Sequence, residues 1–113
     1  MKHLLSILVV LLLLCACGGN DVNEKAAQML SDARFALKYG HYSEARDSIL
    51  SLRQKYPTAI EVRKQAILLL DSIEMTAAAD SLKNAQGEEW ERLHIKLQFF
   101  ERKLLEDKKK DAE

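Results

Sequence analysis

Downstream of residue 20 the chain carries a single proline, Pro57, and two glycines, Gly40 and Gly87. Sequence so poor in backbone breakers cannot make the many tight turns of a β-sandwich, and the three breaks divide it into four long segments. Within each segment apolar residues return at threes and fours, which is the period of an α-helix and not of a strand. The expectation is an all-α chain of about four helices. The length of 113 residues allows one domain at most.

The first helix is expected from Asp21, with Glu24 three places on as a capping box. Its stripe is Ala26, Met29, Leu30, Ala33, Ala36 and Leu37, widened by Phe35, and Gly40 suits the left-handed stop. The second runs from about Ser43, a plausible cap, to Lys55, with Ala45, Ile49 and Leu52 inward. Pro57 then forces a turn. The third starts at Thr58, with Glu61 as a second capping box. It presents Val62, Ala66, Leu69 and Ile73 and reads on to about Ala85, with a break near Thr76 as the alternative. The fourth begins near Glu88, and Trp90, Leu93, Leu97, Phe100 and Leu104 form its stripe. Acids at its start and lysines near its end suit the helix dipole.

The first 16 residues read differently. Leu4 to Leu14 is apolar but for Ser6. This run is too short to span a hydrocarbon core, which needs about 20 helical residues, and has the length of a signal-peptide core. Both cysteines follow it, at Cys15 and Cys17, with none downstream, so no disulfide framework serves the folded part. The segment Leu14-Cys15-Ala16-Cys17 resembles the lipobox of bacterial lipoproteins, with an aliphatic residue three places before the modified cysteine and a small one just before it. Cys15 at the second place is the one departure. The resemblance implies a signal peptide at 1–16, a diacylglycerol thioether on Cys17, cleavage before it, and acylation of the new amine. It also implies a short lipidated linker at 17–20. Two or more acyl chains hold a protein on a bilayer where one does not. Enterobacterial lipoproteins use Asp after the cysteine for inner-membrane retention. Gly18 stands there instead, so the resemblance points to the outer membrane with the domain facing the periplasm.

A second resemblance covers about Ala26 to Ala59. Ala33, Gly40, Tyr42, Ala45, Ile49 and Pro57 stand at the spacing of a tetratricopeptide repeat, a pair of antiparallel helices in about 34 residues. The departures are Met29 where that family has Trp, Asp32 where it has Leu, and Leu52 where it has Ala; no second copy follows. The resemblance implies a helical hairpin over 21–57 and a protein-binding role, although a full groove needs about three repeats. Residues 58–113 would then form a long C-terminal helical hairpin, its second helix amphipathic.

Charge and motifs limit the function classes. The 17 basic and 17 acidic residues balance, so nothing suggests nucleic-acid binding. No Gly-x-Ser-x-Gly elbow, phosphate loop or paired metal-ligand spacing is present, so neither an enzyme, a cofactor nor a metal site is expected. Acids and bases alternate along the helices as on a solvated face. The expectation is a lipid-anchored envelope protein acting as a small helical protein-interaction adaptor, with Trp90, Phe99 and Phe100 as candidate contact residues. The alternative is a structural spacer lipoprotein that self-associates, as a homodimer, through the fourth helix. Ile95, Phe99 and Leu105 give that helix more apolar surface than one neighbour covers.

Overall fold

The computed structural model describes residues 18–112. The expected signal peptide at 1–16, with Cys15, and the expected lipidation site Cys17 lie outside them. The described chain is all-helical: α1 (Gly18–Lys38), α2 (Tyr42–Lys55), α3 (Ile60–Leu82) and α4 (Glu88–Ala112). Connections of three to five residues join helices that pack on one another, α1 with α2 and α3, α2 with α3, and α3 with α4. Links this short make sequential neighbours antiparallel.

The core lies among α1, α2 and the first two-thirds of α3. Ala26, Leu30, Ala33 and Ala36 come from α1, Ala45, Ile49 and Leu52 from α2, and Ala59, Ala66 and Ile73 from the start and body of α3. Six of these ten are alanines. One methyl per contact lets helix axes approach closely, so the few larger side chains interdigitate between them. Phe35 does not widen the α1 stripe as its sequence position suggests. It is 65% exposed and leans on Tyr39, ring centroids 4.7 Å apart.

Gly40 closes α1. At φ +74° it takes the left-handed conformation. The amide of His41 then donates to Ala36 carbonyl at 2.8 Å and that of Gly40 to Leu37 carbonyl at 3.0 Å, the paired bonds of a Schellman ending.

The helix starts differ from the sequence expectation. The Schellman closure runs directly into α2, so His41 occupies the N-cap position in place of Ser43 and makes no side-chain cap bond. At α3 the cap is Ala59, not Thr58. Ala59 is buried at 1% exposure, so fixing its methyl in the core decides where the chain turns. Arg63 braces that turn by donating to Pro57 carbonyl at 2.8 Å. α1 begins at Gly18, three residues before the expected Asp21, which sits in its first turn and pairs with Lys25 at 3.0 Å. α3 passes Thr76 unbroken and ends at Leu82, short of Ala85.

Candidate functional site

The stretch Ile67–Ile73 of α3 is apolar except for Asp71 and Ser72, and Glu74 follows at once. Asp71 and Glu74 are three apart and share a face. That face is turned inward, leaving Asp71 1% and Glu74 8% exposed. The solvated-face reading of the acids fails at these two positions. α3 is packed by α1 and α2 on one side and by α4 on another, so it lacks a broad wet face.

Cations converge on both acids from two other helices. Arg46 of α2 donates its guanidinium N–H to one Glu74 oxygen, and Lys96 of α4 stands 3.3 Å from the other. Lys103, two turns further along α4, donates to Asp71 Oδ1 at 3.0 Å and to Asp107 Oδ2 at 2.8 Å. Burial works to raise the Glu74 pKa, but the Arg46 and Lys96 hydrogen bonds outweigh it and hold the carboxyl below its ordinary value. Asp71 goes the other way. Burial, aided by a hydrogen bond with Asp107, pushes it up to about 6 against the pull of Lys103. Asp71 Oδ2 is buried and finds no donor while ionised. Once protonated, it can donate to Asp107, whose own pKa is lowered by that bond and by Lys103.

Beside this charged clasp the apolar cover of α4 is thin. Leu93, Leu97, Phe100 and Leu104 point toward α3 yet are only half-buried, and α4 contains no buried residue. A helix laid on a single neighbour covers one narrow stripe, so its remaining sides stay wet.

Above the clasp, α2, α3 and α4 enclose a groove of about 510 Å³. Leu50, Ile67, Leu70 and Phe100 give it apolar walls, and Arg46, Arg53, Lys103, Asp71, Glu74 and Asp107 give it charge of both signs.

The three candidate contact residues do not share one surface. Phe100 lines the groove. Its neighbour Phe99 points away and is 58% exposed, although the two rings meet edge to face at 5.1 Å. Trp90 lies more than two turns upstream, 43% exposed, its ring stacked on His94 at 4.7 Å. Sequence reasoning missed Leu50, Arg53 and the buried acids as groove residues. The available signal was the pair of acids interrupting an apolar run.

No protein-family model matches this chain, and neither the comparison with curated proteins nor that with solved structures gives a match. Among the described residues no helix is long and apolar enough to cross a membrane, and no group of three His, Cys, Asp or Glu could hold a metal ion.

Proposed function

We propose that this protein is a lipid-anchored adaptor of the cell envelope, tethered through Cys17 and binding a segment of another envelope protein in the groove between α2, α3 and α4. The observation that carries the binding reading is the groove itself, with Leu50, Ile67, Leu70 and Phe100 as apolar wall and charges of both signs at its edge. Peptide and helix recognition uses such a surface, apolar anchors for affinity and polar groups for register. The anchor reading rests on Leu14-Cys15-Ala16-Cys17 and the apolar run before it. The hairpin of α1 and α2, with Ala33 and Ala45 buried and Gly40 at the turn, supports a tetratricopeptide-like scaffold under the groove.

Two experiments test the two halves separately. A photo-crosslinking residue at Arg53, on the groove edge, should capture a defined envelope protein in living cells, while one at exposed Asp32 of α1 should not. Equal capture from both positions, or none from either, removes the groove from the account. For the anchor, Cys17→Ser should abolish fatty-acid labelling and leave the precursor uncut. Labelling that survives Cys17→Ser and disappears with Cys15→Ser would move the site.

A further inference from the structure

The side of α4 turned away from α3 carries Ile95 and Phe99, four residues apart on one face and 65% and 58% exposed. Neither contributes to this chain's own core. Exposed apolar residues are common singly, so the pair acquires meaning only from the charges in line with it. Along the same face run Glu88, Arg92, Arg102, Glu106 and Lys110. The first turn of α4 is acidic and its last turn basic.

These charges discriminate among the ways a second α4 could lie on the first. In a parallel pair every residue meets its own copy, so Arg92 faces Arg92 and Glu106 faces Glu106. An antiparallel pair with its two-fold axis at Leu97 sets Arg92 on Arg102 and Glu88 on Glu106, again like on like. Moving the axis two residues, to Phe99, changes the signs. Arg92 then faces Glu106 of the second copy and Glu88 its Lys110, each pair twice, while Ile95 and Arg102 fall opposite its Lys103 and Lys96, cations already engaged by Asp71 and Glu74. Phe99 meets Phe99 at the crossing, and the opposed helix dipoles also favour this direction.

We propose that α4 pairs antiparallel with the α4 of a second copy of this chain, crossing at Phe99. The pairing uses the face opposite the groove and depends on neither the lipid anchor nor the adaptor reading. Its apolar patch is small, which makes the association weak and its register dependent on charge.

Charge reversal tests this directly. The full chain is sedimented to equilibrium in density-matched detergent, as wild type, Arg92→Glu, Glu106→Arg and the double variant. Both positions are exposed, so the fold is spared. The wild type should dimerise reversibly at concentrations up to about 200 µM. Each single reversal should weaken the dimer at least about fivefold, because two ion pairs become two repulsions. The double reversal should restore it to within about twofold of wild type, and Phe99→Asp should abolish it. A wild type that stays monomeric throughout overturns the proposal. So do single reversals without effect, or a double variant no better than either single.

Discussion

Where α1 meets α2, Ala26, Leu30, Ala33, Ala45, Ile49 and Leu52 are at 3% exposure or less. α4 is the longest of the four helices at 25 residues, and none of them is buried. The hairpin is held by close apolar contact, which water and salt barely reach. α4 is held by a half-covered leucine stripe and by Lys96 and Lys103 seated on two buried acids of α3. Exposed surface and few buried contacts mark the low-stability end of a structure. The two regions should therefore respond to different insults.

The largest effect is expected in the hairpin. Ile49→Ala removes a fully buried side chain from an alanine-rich core with little room to collapse, and should cost about 2–5 kcal/mol by denaturant unfolding. Loss of signal should occur in all helices together.

Glu74→Gln should cost less, about 1–3 kcal/mol, since Arg46 and Lys96 lose their carboxylate but can turn to water. Its loss should be confined to α4 and the facing edge of α2, read as amide shifts in those helices. An equal response in α1 would erase the distinction between the two regions.

Gly40→Ala puts a methyl where nothing lies within 4 Å, so only the left-handed backbone resists it. A cost of about 1–2 kcal/mol is expected, borne by the hairpin.

The smallest effect is one of pH. Asp71 has a folded pKa of about 6, above its unfolded value, so its contribution to docking is complete below the unfolded pKa and fades as pH rises through 6. Glu74 and Asp107 shift downward, so their contributions are present above their unfolded values and lost on acidification below about 4. Between pH 5 and 7 the Asp71 trend stands alone. α4 docking should weaken by about 1 kcal/mol over that window, and Asp71→Asn should flatten the slope.

Much of the hairpin was legible because its signals are local. Gly40 specifies a left-handed stop, Pro57 a turn, and the Ala45–Ile49–Leu52 stripe one buried face. The start of α4 at Glu88 was equally plain from its acids and Gly87. None of the three expected side-chain caps held: Asp21 lies inside α1, and Ser43 and Thr58 promise a local hydrogen bond while burial of Ala59 and the closure at Gly40 set the chain's path. Asp71 and Glu74 were read as wet because periodicity shows only that residues share a face. Whether that face meets water depends on where α4 folds back, with Lys96 coming 22 residues after Glu74 and Lys103 coming 32 residues after Asp71. The groove was illegible for the same reason: its walls come from three helices, and no single stretch contains its pattern.

Hydrogen exchange of backbone amides tests the contrast most directly, at sub-micromolar protein so that copies stay apart. The account predicts that the central amides of α4 exchange well before those of α1 and α2. It also predicts that added salt speeds them by screening Lys96 and Lys103, with the hairpin unchanged. Exchange of α4 at the hairpin's rate, indifferent to salt, would contradict it.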